Sequence, residues 1–223
     1  NIDMEMIQPW SDVLMRVKLP DEIIDAMLEI TDTVLQDPDR KNWGDNLAGQ
    51  IADEPLIPHE MMQKHQISQG GSVFEFLMNV VGEYIKQCSF QQATQQDHDK
   101  VAGIQWLTQM KSAWIVSQWE GEYNPIHIHT ECSLSTVMYL KIPEYIPRAL
   151  PYKDNADGSI EFIYTAGGEE YITFNKGCYL TRPEEGQLFM FPSYLLHTVY
   201  PFLGEGERRS VSFNAIHRYL DKD

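Results

Sequence analysis

Three histidines and an arginine carry the chemistry open to this sequence. His127 and His129 flank Ile128, His197 lies far along the chain, and Arg208 follows it by 11 residues. In a strand, residues i and i+2 point to the same face, so both rings of the pair can reach one ion. Imidazole suits iron, and two histidines with a carboxylate and open positions form the usual non-haem iron(II) centre that handles oxygen. Arg208 brings a permanently charged planar fork that fits a carboxylate, such as the far end of a dicarboxylic cosubstrate.

Period-two reasoning tests which arginine serves. In Arg208-Arg209-Ser210-Val211-Ser212-Phe213-Asn214, one face carries Arg208, Ser210, Ser212 and Asn214, the other Arg209, Val211 and Phe213. The apolar set must face a core, so the polar set lines solvent or an internal pocket. A pocket puts Arg208 and the Ser210 hydroxyl side by side on one carboxylate and turns Arg209 away. Ser135, Val137 and Tyr139 share a face in the same manner, and the Tyr139 phenol could donate to that carboxylate or sit in the core.

The third ligand is ambiguous, because His127, His129 and Glu131 all fall on one strand face. A carboxylate ligand has the stronger chemical precedent. If the next strand starts at Ser133, however, Glu131 stands at a hairpin tip, whereas His127 and His129 leave Thr130 to Cys132 for the turn. His197 follows the apolar run Phe191 to Leu196, where a merely structural histidine would need a buried partner. His59, His65, His98 and His217 lack ligand spacing and read as surface or packing residues. Trp114, Trp119, Tyr123 and Phe162 read as core aromatics, and the acidic runs at Glu169-Glu170 and Glu184-Glu185 as solvated turns.

Two helices and a set of short strands must position these groups. Apolar residues Ile23, Met27, Ile30 and Val34 predict a helix over Leu19 to Asp37, ended by Asp37-Pro38. The stretch from Asp39 to Gly71 reads as loop, with a short helix near Glu60 to Lys64. A second amphipathic helix is expected from Ser72 to Cys88, and Gln91 to Lys100 as a polar connection. Beyond Gly103 the period changes to two: strands are expected over Met110–Trp119, Ser133–Ile142, Ile160–Tyr164, Tyr171–Phe174, Gln187–Phe191 and Arg208–Ala215. The fold class is α+β, a double-stranded β-helix or jelly roll (106–223) with N-terminal supporting helices (1–105), forming a single domain over 1–223.

Composition narrows the partners. A net charge of −16 argues against nucleic acid, whose phosphates call for clustered Lys and Arg, and against an anionic membrane surface. No apolar run approaches the roughly 18–20 residues of a spanning helix. The residues from Asn1 to Glu5 lack the pattern of a signal peptide. Cys88, Cys132 and Cys178 have no CxxC spacing and fit a reducing cytoplasm better than a disulfide framework.

With those residues in view, the chain resembles the iron(II)/2-oxoglutarate-dependent oxygenases, most closely their phage- and bacteria-associated branch. The resemblance rests on four segments: Gly121-Glu122-Tyr123-Asn124-Pro125-Ile126-His127-Ile128-His129, Leu134 to Leu140, Gly186 to His197, and Arg208 to Asn214. A weaker likeness to phage members lies in Asn46-Leu47-Ala48-Gly49-Gln50-Ile51. The resemblance implies iron(II) held by His127, His129 and His197, with Glu131 as the alternative to His127, and 2-oxoglutarate held by Arg208 and Ser210, to which the strand-face reading adds Tyr139. It implies a hydroxylating dioxygenase that consumes O2 and releases succinate and carbon dioxide, in a host cytoplasm if the chain is phage-encoded. Thr136 stands where the branch usually has glycine.

Two other readings compete. A cupin-type metal enzyme without 2-oxoglutarate is half supported by Gly186, Pro192 and His197, but Tyr194 stands where glycine is expected, the first cupin pattern fails and Arg208 goes unexplained. A non-catalytic jelly-roll binding protein would keep the fold without turnover. The primary substrate is open, with peptidyl and amino-acid groups favoured over nucleobases by the acidity, and the N-terminal half could serve as a substrate lid or a homodimer surface.

Overall fold

The computed structural model describes residues 12–92, 100, 103, 105–149, 155–164 and 177–220. In chain order it runs β1 (Met15–Lys18), α1 (Asp21–Gln36), α2 (His59–Lys64), α3 (Val73–Gln92), β2 (Trp106–Gln118), β3 (Asn124–His127), β4 (Leu134–Lys141), β5 (Ile160–Ile163), β6 (Cys178–Thr181), β7 (Gln187–Pro192), β8 (Leu196–Val199) and β9 (Arg208–Tyr219). The strands form two antiparallel sheets, a five-stranded one ordered β1-β7-β4-β9-β2 and a four-stranded one ordered β3-β8-β5-β6. This is the expected jelly roll.

Local chemistry explains the helix ends. Asp37 is extended, with φ −73° and ψ 115°, as a residue before proline prefers. At the start of α3 the Ser72 amide donates to Glu75 Oε2 at 2.7 Å and the Glu75 amide donates to Ser72 Oγ at 3.2 Å, a reciprocal capping box. The helix outruns its expected end at Cys88 and reaches Gln92, because glutamine is a good helix former and neither Gly nor Pro interrupts the run.

The period-two pattern sorts the strands between two cores. Ala113, Ile115, Met138, Leu140, Leu188, Met190, Val211 and Phe213 face outward, where Ile23, Met27 and Ile30 of α1 and Leu77 and Val81 of α3 cover them. Val137, Tyr139, Phe189 and Phe191 face inward against Ile160, Phe162 and Val199 of the second sheet. Both faces of the larger sheet are therefore buried, which fixes its register.

Four short strands, β1, β3, β6 and β8, are missing from the sequence reading; each has only four residues. The expected strand Tyr171–Phe174 and the acidic pair Glu169-Glu170 lie outside the described residues. Trp114 and Phe162 are core, but Trp119 and Tyr123 are not: they are 49% and 41% exposed, because they flank the turn that leaves β2 after Gln118. Among the described residues no helix is long and apolar enough to cross a membrane.

Candidate active site: three imidazoles between two polar walls

The two sheets enclose a cavity of about 700 Å³ whose lining includes His127, His129, His197, Arg208 and Ser210. His127 on β3 pairs directly with His197 on β8, which brings residues 70 positions apart in sequence onto adjacent strands. His129 lies just past β3, its amide donating to Ser193 O at 2.9 Å. Ligand atoms of the three rings all fall within 4.8 Å of one another. Glu131 stays outside this cluster, exposed in the turn before β4 with φ 58°, so the strand geometry favours the two-histidine half over the carboxylate one.

The cluster is built to receive a cation. His127 Nδ1 lies 2.7 Å from Pro125 O and His197 Nδ1 lies 2.9 Å from Leu195 O. A nitrogen facing a carbonyl must carry the proton, so each ring presents its Nε2 lone pair inward, the tautomer a metal ligand needs. His129 Nε2 sits 3.2 Å from His197 Nε2. Burial, and then the neighbouring imidazoles, push the His197 pKa down to about 3. Burial, and then His127, push His129 down to about 4, opposed by a hydrogen bond with the Asn214 side chain. Burial lowers His127 as well. Trp114 stacks on His129 at 5.8 Å between centroids, and Phe191 packs edge-on against His197 at 4.8 Å. Neutral, converging imidazoles in an aromatic setting fit an iron(II) ion.

Arg208, at the start of β9 and 1% exposed, spends only part of its fork on protein. Its Nε donates to Gly158 O at 3.2 Å and its Nη1 to Gln118 Oε1 at 3.0 Å, while Nη2 has no partner. The Tyr139 and Tyr145 hydroxyls and the Ser159 hydroxyl are buried and unpartnered too. Tyr139 pairs with Ser210 across β4 and β9, and its ring lies 5.1 Å from the guanidinium carbon. Burial raises the Tyr139 phenol to about 12 despite the opposing Arg208 charge, so it stays a donor. Buried orphan donors are costly, and several beside one guanidinium fit a carboxylate. Arg209 points outward as its period requires, bonded to Glu207 and Asp32.

Tyr145 and Gln118 are absent from the sequence reading. Tyr145 lies in the proline-bounded stretch after β4 with no period to mark it, and it packs on Phe202 at 5.0 Å. A side chain at Gly158, where φ is 66°, would collide with the Tyr145 ring, so glycine there admits the phenol. Gln118 could have been found, since it is the direct partner of Arg208 in the β2–β9 register.

A jelly roll with three convergent imidazoles and a half-used arginine in one cavity is the plan of a mononuclear non-haem oxygenase. Residues 112–214, which carry the three histidines, Arg208 and Ser210, match the family model described as "Putative 2OG-Fe(II) oxygenase", and that match makes iron(II) and 2-oxoglutarate the cofactors of this site. The fold is shared with a prolyl hydroxylase from Trichoplax adhaerens, solved with a hypoxia inducible factor peptide fragment, at TM-score 0.54 and 13% identity over 91% of this chain and 83% of that one. It is shared also with the non-heme carbocyclase SnoK from nogalamycin biosynthesis, at TM-score 0.53 and 12% identity over 92% and 81% of the two chains. No curated protein matches the sequence at a significant level.

Proposed function

We propose that this oxygenase binds iron(II) through His127, His129 and His197, binds the distal carboxylate of 2-oxoglutarate through Arg208, Ser210 and Tyr139, and hydroxylates a peptidyl or amino-acid group. The observation that carries the reading is the pairing of inward Nε2 lone pairs with the unpartnered Nη2 of Arg208 in one cavity. When bound, iron(II) and 2-oxoglutarate together activate O2, with succinate and carbon dioxide as co-products and a hydroxylated product.

The chain's own residues bind, orient and exclude water. Pro125 O and Leu195 O fix two rings in the ligating tautomer. Gln118 Oε1 and Gly158 O lock the guanidinium so that Nη2 and the Tyr139 hydroxyl face the cosubstrate without reorganisation. Trp114, Phe162 and Phe191 keep the neighbourhood of the imidazoles apolar. The half-used Arg208 also sets this reading above a cupin without 2-oxoglutarate, which gives that charge no work.

The test is an anaerobic titration of the iron(II)-loaded protein with 2-oxoglutarate, followed by the visible metal-to-ligand charge-transfer band. A saturable band is expected. No band with iron demonstrably bound would overturn the assignment.

A further inference from the structure

The cavity has a second polar wall, opposite in character to the first. Residues 53–57 add to the free edge of β2, with bridges Asp53–Ser117 and Leu56–Trp114. That register sets Glu54 beside Val116, which pairs with Ser210, which pairs with Tyr139. Glu54 therefore continues an inward row, roughly 10 Å from Ser210 across two strand spacings. Ile57, of opposite parity, lies in the outer core. Trp43, Asp45, Asn46, Leu47 and Ala48 complete this wall of the cavity.

Glu54 is 1% exposed and its Oε2 has no hydrogen-bond partner. Its carboxyl is packed under Gly49, where a Cβ would stand 2.8 Å from Asn124 Oδ1 and 2.9 and 3.0 Å from the two Glu54 oxygens. Glycine at that point lets the backbone close over the acid. Glu122, whose charge acts on Glu54, is satisfied by the amides of Ala52 and Trp119 at 2.9 and 2.8 Å. Burial, and then the Glu122 charge, raise the Glu54 pKa to about 7. A buried acceptor with no donor, lining a cavity, lacks something that a ligand can bring.

We propose that Glu54 is a substrate-binding residue that receives an organic cation, an ammonium or guanidinium group carried by the molecule to be oxidised. Resting on the oxygenase reading, this adds a substrate class to it: a lysyl or arginyl group, or a free amine. A neutral substrate would leave Glu54 either charged and unpaired or protonated and idle. A cationic group supplies both the charge and the N–H donors. It also separates the ends of the cavity, with the dicarboxylate on Arg208 and the cation on Glu54, so neither can take the other's place.

The test is calorimetric binding to the protein loaded with iron(II) and 2-oxoglutarate under argon, where no turnover occurs. The probes are N-acetyl-lysine amide, N-acetyl-arginine amide, butylammonium and the neutral N-acetyl-norleucine amide. At least one cation should bind about tenfold tighter than the neutral probe, and Glu54→Gln should erase the difference. The tightest probe then tells lysyl, arginyl and free-amine sources apart. Equal binding of charged and neutral probes, no binding by any cation, or a preference that survives Glu54→Gln would each overturn the proposal, the last marking mere attraction to an acidic chain. If the variant misfolds, equal wild-type binding of charged and neutral probes still overturns the proposal, and so does a cation preference that vanishes in about 0.5 M salt, which screens general attraction but not a buried pair. The same titrations on metal-free protein separate the two readings, since a cation preference there, lost in Glu54→Gln, stands whether or not the charge-transfer band appears.

Discussion

The two polar walls of the cavity are complementary to opposite charges and are built differently. The β4–β9 wall offers donors, Arg208 Nη2 and the Tyr139 and Tyr145 hydroxyls, with no acceptor to spend them on. The wall beyond β2 offers a carboxyl with no donor. The first stands mainly on long, regular strands buried on both faces; the second stands on an irregular segment that joins the sheet through isolated bridges. Between them lie the three imidazoles. A deficit of acceptors on one side and of donors on the other would be met by two differently charged molecules bound on either side of the imidazoles, which neither wall implies alone.

The largest expected effect falls between the walls. His197→Ala should abolish iron(II) binding, measured as metal per protein after anaerobic loading, while both walls keep their folded signatures. His127→Ala should cost about 10–100-fold or more in iron affinity, whereas Glu131→Ala should leave it unchanged. Retained iron in the His127 variant together with loss in the Glu131 variant would return the carboxylate to the site and sink the three-histidine reading.

Next comes the donor wall. Arg208→Ala should spare iron and weaken 2-oxoglutarate by at least about thirtyfold, since losing one partner of a buried charge-assisted pair costs roughly 2–5 kcal/mol. It also leaves Gln118 Oε1 and Gly158 O without their donor, so the variant should melt lower even without cosubstrate. Arg208→Lys, which keeps the charge but not the fork, should fall between. Unchanged 2-oxoglutarate affinity in Arg208→Ala would remove the donor wall from cosubstrate binding altogether.

The same contrast explains what could be read from sequence. Arg208, Ser210 and Asn214 stand on a long strand whose apolar partners Val211 and Phe213 must face a core, so parity alone assigns their direction. His127, His129 and His197 were legible through i, i+2 spacing and an apolar approach, although β3 and β8 are too short to be recognised as strands. Glu54 follows no period. It lies in a stretch that reads as loop, and its inward direction comes from pairing with β2, a contact across more than 50 residues that no local pattern encodes. Tyr145 is hidden for the same reason, placed by Phe202 and Gly158 rather than by its neighbours in the chain. The exposure of Trp119 and Tyr123 shows the converse, since large aromatics near a strand end follow the turn and not the core.

The acidic wall makes a prediction in pH. The folded chain holds the Glu54 proton up to about pH 7, above its ordinary value of 4.5, so the native state binds that proton more tightly than the unfolded state does. The corresponding stability is fully present below about pH 4.5 and is lost as pH rises to about 7. Glu54→Gln removes this loss. The variant should therefore match wild type near pH 4.5 and exceed it at pH 8 by on the order of 2–3 kcal/mol, read from denaturant melts at several pH values. Parallel curves for the two proteins would mean that Glu54 is not buried without a partner, and the contrast between the walls would lose its acidic half.

The smallest effect separates the two phenols of the donor wall. Neither hydroxyl makes a well-formed hydrogen bond, and each has only a loose polar contact with Arg208, so deleting it removes a desolvation cost and little hydrogen bonding. Tyr139→Phe and Tyr145→Phe should each leave the melting temperature without cosubstrate unchanged or slightly raised. In 2-oxoglutarate titrations each should weaken affinity by about tenfold, the lower end of the roughly 1.5–3 kcal/mol of one hydrogen bond to a charged group. The sign reversal between the two readouts is the informative part, because a tyrosine that only packs would lower stability and spare affinity, or move neither. Should Tyr139→Phe alone cost affinity, Tyr145 serves Phe202 and the loop after β4, and the carboxylate is held by β4 and β9 without help. Should both cost it, the anion site includes a residue placed by the Gly158 turn, and the donor wall, like the acidic one, depends on chain outside the regular strands.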